Sequence, residues 1–533
     1  MMRTSSVVVS AALALLLSGP LDAQSDFTTH AERTGWTELT PHDEVVGFYR
    51  TLARSAPEVR MEEIGRSREG RPLHLVTLSR PAVQGPWEAH ASGKPILLIG
   101  AQVHGDEPAG KEGLMMFARD LVHGDLGHLL DEVVFLFIPQ MNPDGAESGE
   151  WGIRPNTAGY NINRDYLRVD NPETAAIVSA MVDWRPHVVV DAHELPGPPR
   201  VYDFYTWFPT GSNGPRAPVE LSRDLLVPPI VEALEGAGYT HIVYHTPGGV
   251  AEDPASGIAV PVYGRTMNDY AAAQGMATIL FESLRERDAR VDIADRARRQ
   301  QVAMEALARA IAANGDAVQA SIREGREEMA RRGARWEESD SIAVRVEPVA
   351  SREVDYRVAE MRRTDREDGP LWEPTGEILD LRVPLVDSAV VTLGRVRPTG
   401  YLIEPHRGDL ADHLRMHGIR VERLLTDAAV EVESFRIESA QTEDRPYEGY
   451  VPQRITTSLD RRTFEAPAGA YLIPADQPGA GLVFHLLEPE GENAYATKGR
   501  FLAEARPGRH LPVHRITEWP VAATERLGDA ISR

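Results

Sequence analysis

The chain has 533 residues, which is too many for one ordinary hydrophobic core, so we expect two domains. Its net charge of -23 argues against a nucleic acid or an anionic membrane surface as a partner, because both are polyanions. The chain contains no cysteine, which excludes disulfides and thiolate metal sites and leaves nitrogen and oxygen atoms as the only metal ligands.

The N-terminus has the pattern of a secretory signal peptide. Arg3 provides a short positive region, residues 7–17 form an apolar run, and Ala23 ends a motif suited to cleavage. The apolar run is shorter than the ~20 residues that span a bilayer, which disfavours a membrane anchor. We therefore expect residues 1–23 to be removed and the mature protein, with no membrane span, to be periplasmic or extracellular.

Residues 24–320 alternate between strand-like and helix-like segments. Short apolar runs predict buried strands, and the amphipathic stretches between them predict helices. Buried strands are predicted at 95–102, 133–141, 187–192 and 277–281. Two strands joined by a turn are predicted at 60–64 and 73–78, and helices at 41–53, 112–121, 174–182 and 294–312. This alternation is typical of an α/β fold in which helices flank a mainly parallel mixed sheet.

The second half of the chain has a different texture. Residues 313–340 are charge-rich and weakly patterned, and we interpret them as a helix that continues into a linker, with the linker at 321–340. Residues 341–533 predict a β-rich accessory domain, because alternating segments are punctuated there by Gly and Pro. The strand-like segments include 343–349, 389–396, 470–474 and 482–487, and 409–417 is predicted as an amphipathic helix.

Polar side chains follow the four predicted buried strands, at the point where each strand ends. His104 and Glu107 follow the first strand, Asp144 follows the second, His193 follows the third and Glu282 ends the fourth. Ligands of an open α/β sheet bind at the carboxyl ends of its strands. We therefore expect these residues to meet in one active site.

The residue types in this group suit a catalytic zinc ion. Such a site has three protein ligands and one open position for water. His104 and Glu107 are three residues apart, so both can turn toward one ion, and a ligand such as His193 then comes from a distant element. One such pair alone would be weak evidence, and the prediction depends on the common position of all these residues at strand ends.

These motifs resemble those of the zinc carboxypeptidases, the carboxypeptidase A-like metallopeptidases, over residues 40–310. The order and spacing of several short motifs carry the resemblance. They are Ile64-Gly65-Arg66-Ser67, Glu69-Gly70-Arg71, His104-Gly105-Asp106-Glu107, Asn142-Pro143-Asp144-Gly145, Asn161-Ile162-Asn163-Arg164, Asp191-Ala192-His193 and Phe281-Glu282. The resemblance implies the zinc carboxypeptidase fold and a peptidase activity.

The resemblance also implies a metal site and a catalytic base. His104, Glu107 and His193 would hold one Zn²⁺ per chain, and two histidines with one glutamate is the set that carboxypeptidase A uses. Glu282 would be the general base that deprotonates the attacking water and later protonates the leaving amine.

Substrate-binding residues follow from the same resemblance. Arg154 would polarise the scissile carbonyl and stabilise the oxyanion, and Asn163 and Arg164 would bind the terminal carboxylate of the substrate. Tyr263 is the candidate for the family's tyrosine that closes over the substrate, and Tyr270 is the second choice. The floor of the specificity pocket is expected within residues 265–269.

One residue departs from the family pattern, and one segment has two possible interpretations. The family usually has an aspartate where this chain has Asn161, which would accept a hydrogen bond from a metal-binding histidine. Because asparagine is neutral, it would make that ligand less basic. The aromatic residues 202–208 predict either a packed strand or an aromatic wall beside the substrate cleft.

The sequence therefore predicts an exported zinc metallocarboxypeptidase that acts on peptides with a free C-terminal carboxylate. One alternative is a zinc-dependent deacylase or cell-wall peptide amidase, and Arg164 favours the exopeptidase over it. The other alternative is a non-catalytic protein that binds peptide or glycan, which would be expected to lack a ligand or the base. A serine hydrolase is disfavoured because no G-x-S-x-G motif follows a strand.

Overall fold

The structure is a computed structural model, and it describes residues 27–528 apart from 211–212, 247–248, 251–252, 262–263, 287, 289–290 and 367–368. The predicted signal peptide, residues 1–23, and the candidate Tyr263 lie outside the described residues. Among the helices of the described chain, none is long and apolar enough to cross a membrane.

The described residues form fourteen α-helices and twenty strands, numbered in chain order. The helices are α1 His30–Arg33, α2 His42–Ser55, α3 Pro86–Ala91, α4 Ala109–His123, α5 Leu129–Glu132, α6 Pro143–Ala146, α7 Pro172–Trp184, α8 Arg216–Leu221, α9 Val227–Gly236, α10 Met267–Ala273, α11 Ile293–Ala313, α12 Gly315–Gly333, α13 Gly408–Met416 and α14 Ala480–Leu487. The strands are β1 Val59–Arg66, β2 Pro72–Leu78, β3 Ile96–Ala101, β4 Val134–Ile138, β5 Val188–Pro196, β6 Phe204–Trp207, β7 His241–Val243, β8 Ile258–Ala259, β9 Ala277–Arg285, β10 Ser341–Val349, β11 Arg352–Arg366, β12 Gly369–Val386, β13 Ser388–Val396, β14 Gly400–Ile403, β15 Glu422–Leu424, β16 Ala428–Thr442, β17 Gln453–Ala466, β18 Tyr471–Pro474, β19 His510–Ile516 and β20 Thr524–Arg526.

An eight-stranded mixed sheet organises the N-terminal part, in the order β1-β2-β4-β3-β5-β9-β6-β7. Its central strands β4, β3, β5 and β9 are mutually parallel, whereas β1, β2 and β6 join antiparallel. Every residue of β3 and β4 is buried, as expected for strands covered on both faces. The predicted mainly parallel mixed sheet is confirmed.

Helices cover both faces of this sheet. On one face α2, α4, α9 and α11 enclose a core that contains Leu97, Phe135 and Val190, whose side chains alternate along the strands with those of the other face. On the other face α7 and α10 pack over Leu98, Leu136 and neighbouring residues. The α/β fold class predicted from the sequence is therefore confirmed.

The C-terminal part is rich in antiparallel strands, which confirms the predicted β-rich region. A seven-stranded sheet has the order β17-β16-β19-β14-β18-β15-β20, and β10 pairs with β13 in a separate two-stranded sheet. The two parts share more than one contact region. Strand β8 of the N-terminal part pairs with β12, and one hydrophobic core contains both Leu136 and Tyr401.

One sequence-based expectation for this half differs from the structure. Residues 482–487 were expected to be strand-like, but they lie in helix α14, in which Leu482, Val483 and Phe484 are buried. A short run that is apolar on all sides has no periodicity that separates a buried strand from a buried helix. Helix α12 extends to Gly333, with Ile322 and Met329 buried, before the chain continues to β10.

Candidate active site and metal centre

The polar residues that follow the central strands meet at one edge of the sheet. His104 and Glu107 lie in the loop after β3, and His193 and Glu282 are paired on the neighbouring strands β5 and β9. One ligand atom from each of His104, Glu107 and His193 lies within 4.8 Å of the other two. The convergence predicted from strand ends is therefore present in the fold.

A tight backbone approach shapes the loop that carries His104 and Glu107. A Cβ atom on Gly105 would lie 2.1 Å from the carbonyl carbon of Gly145, which belongs to the short helix α6 that follows β4. Gly152 has φ of +82°, and a Cβ atom on it would lie 2.2 Å from the carbonyl oxygen of Gly105. Only glycine, which has no Cβ, fits at Gly105 and Gly152. The segments that carry Gly105, Gly145 and Gly152 can therefore pack directly against one another.

The loop after β4 is in turn fixed by the upstream motifs of the same edge. The buried Asp144 carboxylate accepts hydrogen bonds from the Ser67 hydroxyl at 2.6 Å, the Glu69 N–H at 2.9 Å and the Arg71 guanidinium at 2.8 Å. These motifs therefore support the position of the active-site loops and do not themselves line the cavity beside the metal ligands.

Both histidines direct the same ring nitrogen toward Glu107. The Nδ1 of His104 lies 3.0 Å from Oε1 of Glu107, and the Nδ1 of His193 lies 2.8 Å from Oε2. Burial opposes ionisation of Glu107, but the two histidines outweigh it and hold its pKa well below the usual value. Two imidazole nitrogens and a carboxylate, all buried, form the donor set of a catalytic zinc site.

The opposite ring nitrogens are held by other side chains. The Nε2 of His104 lies 3.1 Å from Oδ1 of Asn161, which is the contact expected from the sequence, and the Nε2 of His193 lies 2.9 Å from Oδ2 of Asp191. An acceptor at Nε2 places the ring proton there and leaves the Nδ1 lone pair for a metal ion. The residues present therefore fit the metal that the motifs imply.

The carboxylate of Glu282 is buried beside this group. The residue is 7% exposed, and among the described residues its Oε2 has no hydrogen-bond partner. Burial raises the pKa of Glu282 to about 8, with Glu107 adding to the increase and His193 opposing it. An unpartnered buried carboxylate oxygen is costly, and a bound water or cation relieves that cost.

Three arginines surround the open side of the group. The Arg154 guanidinium donates to Oε1 of Glu107 at 2.6 Å, and the Arg164 guanidinium donates to the backbone oxygen of Asn163 at 2.8 Å. The Nδ2 of Asn163 donates to Oδ2 of Asp191 at 3.4 Å and lies 3.0 Å from Nε2 of His193, and its Oδ1 accepts from the Met267 N–H at 3.1 Å. Arg265 is the third arginine of the cavity wall.

A cavity of about 210 Å³ joins these residues. Its lining is His104, Arg154, Asn163, Arg164, His193, Trp207, Tyr244, Pro261, Gly264, Arg265, Thr266, Asp269, Leu280, Glu282 and Glu492. The predicted pocket floor is represented by Arg265, Thr266 and Asp269, and Trp207 brings the aromatic strand β6 to the cavity wall. Strand β6 is therefore a packed strand of the sheet, and its Trp207 also forms part of the cavity wall.

The structure adds two lining residues that the sequence did not indicate. Tyr244 follows β7, and burial raises its pKa to about 12, with the Glu282 carboxylate as a further cause. Glu492 comes from the C-terminal part, and no local pattern connects it with the residues after β3. Tyr270, the second choice for the closing tyrosine, is fully buried against Tyr166 and His417 and does not line the cavity.

Comparisons with known proteins agree with this fold and site. The model of the zinc carboxypeptidase family matches residues 45–189, a range that contains His104, Glu107, Arg154 and Arg164 and ends before His193. Carboxypeptidase 2 of Trichophyton rubrum is 25% identical over 506 residues, which cover 90% of this chain and 87% of that protein. Similarity of this extent includes most of the β-rich part as well as the eight-stranded sheet.

Two further comparisons cover shorter segments. Carboxypeptidase E of Caenorhabditis elegans is 30% identical over 160 residues, which cover 27% of this chain and 33% of that protein. The crystal structure of carboxypeptidase A from Helicoverpa armigera is 17% identical with a TM-score of 0.41, covering 55% of this chain and 80% of that one.

The fold and the site define a metallopeptidase of α/β architecture. The family match and the carboxypeptidase relatives confirm the resemblance to the zinc carboxypeptidases that the motifs predicted. The chain is accordingly an enzyme of the zinc metallocarboxypeptidase type.

Proposed function

We propose that the protein is an exported zinc-dependent carboxypeptidase that removes the C-terminal residue from peptides. The main support is the convergence of His104, Glu107 and His193 beside the buried Glu282, in a cavity that arginines also line. A metal centre, a base and cationic groups in one cavity are the parts that hydrolysis of a peptide with a free carboxylate requires.

One zinc ion would be held by Nδ1 of His104, a carboxylate oxygen of Glu107 and Nδ1 of His193. When bound, zinc supplies Lewis-acid polarisation and lowers the pKa of water to ~7. The Nε2 contacts to Asn161 and Asp191 orient the two rings for this purpose. Burial lowers the pKa of His104, whereas Asp191 and Glu107 outweigh burial at His193 and hold its pKa well above the usual value, so a bound metal ion would displace a proton from His193.

Glu282 is proposed as the general base. Its buried carboxylate takes a proton from the attacking water and then gives the proton to the nitrogen of the leaving amino acid. The support is its position on β9 directly beside His193 and its unpartnered Oε2 among the described residues. A carboxylate whose pKa burial raises is well suited to carry the proton between these two steps.

The arginines are proposed to bind the substrate. Arg154 would approach the scissile carbonyl and stabilise the oxyanion, and Arg164 with Asn163 would bind the terminal carboxylate. Arg154 contacts Glu107 in this structure, so its proposed role includes exchanging that partner for substrate. Tyr263 stays a proposal for the closing residue, because the structure does not describe it.

The location is proposed from the sequence. Residues 1–23 have the pattern of a signal peptide, and removal of this segment would release the protein to the periplasm or the exterior.

The first experiment combines metal analysis with a panel of blocked dipeptides, each prepared as the free acid and as the C-terminal amide. We expect about one zinc per chain, release of the last residue that a chelator abolishes, and strong preference for the free acid. Bound zinc with no cleavage of any free acid would contradict the exopeptidase proposal and would favour the deacylase or cell-wall amidase. A chain without bound zinc would contradict the metal proposal itself.

A further inference from the structure

The long hairpin of β16 and β17 ends in a turn with an unusual residue. Tyr447 and Tyr450 exchange backbone hydrogen bonds of 2.8 and 3.0 Å, and between them Glu448 has φ of +45° and Gly449 has φ of +78°. Two successive residues with positive φ define a two-residue loop that favours Asn-Gly or Asp-Gly. Glutamate at the first position is conformationally unfavourable, so a contact of its side chain is expected to compensate.

That contact reaches the loop beside the metal ligands. Oε2 of Glu448 accepts a hydrogen bond from the backbone N–H of Asn161 at 3.0 Å, across 287 residues of sequence. The Arg168 guanidinium donates to the backbone oxygen of Glu448 and lies 4.6 Å from the centre of the Tyr450 ring. An ideal Cβ on Gly449 would be 2.5 Å from the Tyr160 ring, so the turn fits closely against this loop.

Asn161 connects the turn to the histidines. Its Oδ1 accepts from the Asn163 N–H at 3.0 Å and lies 3.1 Å from Nε2 of His104. The Nδ2 of Asn163 lies beside the His193 ring and donates to Oδ2 of Asp191 at 3.4 Å, the same oxygen that lies 2.9 Å from Nε2 of His193. The backbone position of Asn161 therefore affects the orientation of both imidazole rings.

A second anchor holds the same turn against the cavity wall. The Tyr450 hydroxyl accepts from the Arg265 guanidinium at 3.0 Å and from the Lys498 ammonium at 2.8 Å. Arg265 also lies 4.9 Å from the centre of the Tyr447 ring, and it lines the cavity with Glu492. The turn thus contacts both the loop of Asn161 and Arg265 of the cavity lining.

We propose that Glu448 is a positioning residue of the active site, which fixes the loop of Asn161, Asn163 and Arg164 and through it the two histidine rings. The β-rich part would then complete the metal site without contributing a ligand. This inference rests on the proposed zinc site. Glu448 lies outside residues 45–189, the segment that the family model matches, whereas its partner Asn161 lies within that segment.

The test uses two substitutions of Glu448 in the full-length chain. Glu448→Asn suits the positive φ but is too short to reach Asn161, so thermal stability is expected to be unchanged or higher while zinc binds about 10-fold more weakly. Glu448→Gln keeps an acceptor of full length and is expected to bind zinc as the wild type does. Zinc affinity is measured by competition with a chelator, and amide hydrogen exchange is measured over residues 160–168.

A control on the same hairpin is Glu443→Ala, because the Glu443 carboxylate accepts a hydrogen bond from Arg454 of the hairpin itself, at 2.7 Å. Zinc affinity and exchange in this variant should equal those of the wild type. The proposal is overturned if Glu448→Asn leaves both quantities unchanged, or if Glu448→Gln or Glu443→Ala weakens zinc binding equally. Hydrogen exchange needs no metal, so it decides the role of Glu448 even if the wild type binds no zinc.

Discussion

Four nitrogen atoms surround the carboxylate of Glu107. They are Nδ1 of His104, Nδ1 of His193, the guanidinium nitrogen of Arg154 at 2.6 Å and the backbone nitrogen of Glu194 at 3.2 Å. Burial opposes ionisation of this carboxylate, but the two histidines outweigh burial and hold its pKa well below the usual value. Because a metal ion at this point would replace protons on the histidines, zinc binding is expected to release protons and to weaken in acid.

The role of Glu282 gives a prediction at a single residue. Glu282→Gln keeps the shape of the side chain but removes its basicity, so we expect the zinc content to be unchanged and kcat to fall at least about 100-fold. Peptide hydrolysis and metal content are measured on the same preparation. Glu286→Gln, an exposed position just after the strand, is the control and should keep full activity. Substantial turnover by Glu282→Gln would show that another group is the base.

Asn161 gives a second prediction at the residue scale. Asn161→Asp places a charged acceptor 3.1 Å from Nε2 of His104 while keeping an oxygen for the Asn163 N–H. A charged acceptor makes the imidazole more basic, so zinc should bind several-fold to about 10-fold more tightly. Chelator competition measures the change. An equal or weaker affinity would mean that the charge of this side chain does not affect the metal ligand.

At the scale of elements, the stacked active-site loops depend on the absence of a side chain at Gly105. The new methyl group of Gly105→Ala would lie 2.1 Å from backbone that Asp144 and its donors hold in place. We expect the free energy of unfolding to decrease by about 1–3 kcal/mol and zinc binding to be lost. Urea denaturation with metal analysis checks both.

A matched control lies in helix α2. An ideal Cβ on Gly47 has no atom within 4 Å, so Gly47→Ala should stabilise the protein by about 0.5–1 kcal/mol. If both variants changed stability alike, the close approach at Gly105 would not be what limits that position.

The central strands and the residues after them could be predicted because their signals are local. A run such as residues 96–101 is apolar throughout, and His104 and Glu107 follow it within six residues. The helix at 480–487 could not be recognised, since a buried helix and a buried strand share the same short apolar pattern. Tyr244 was missed because a single tyrosine after a three-residue strand carries no pattern at all.

At the scale of the whole molecule, contacts between segments far apart in the chain could not be predicted from the sequence. Glu492 reaches the cavity and Glu448 reaches Asn161, and neither residue lies in a recognisable motif. The domain boundaries at residues 320 and 340 stay predictions. The shared core of Leu136 and Tyr401 and the pairing of β8 with β12 indicate that the two parts fold as closely associated units.

The buried histidines give a prediction for the whole molecule. Burial lowers the pKa of six of them: His187 to about 3, and His74, His241, His245, His413 and His485 to about 4. The unfolded chain takes up these protons near pH 6.5, whereas the folded chain does not. Their stabilisation is therefore complete above pH 6.5 and is lost as the pH falls toward 4.

We expect the free energy of unfolding of the metal-free protein to decrease steadily between pH 6.5 and pH 4.5. The raised pKa values of Glu282, His193 and Glu194 act in the opposite direction, whereas the lowered pKa values of His104, His417 and Glu107 act in the same direction as the six histidines. Urea denaturation after chelator treatment measures the dependence without the contribution of metal binding. A stability that stays constant or rises as the pH falls through this window would contradict the prediction.

The order of the seven-stranded sheet has a consequence for biosynthesis. Strand β19, residues His510–Ile516, lies between β16 and β14, although both precede it by more than 60 residues. A ribosome must therefore deliver almost the entire chain before this sheet can close, and the turn at Glu448 is carried by β16. Long-range pairing also slows folding. We therefore expect the seven-stranded sheet to form only late in synthesis, and the chain to be inactive as a peptidase until then.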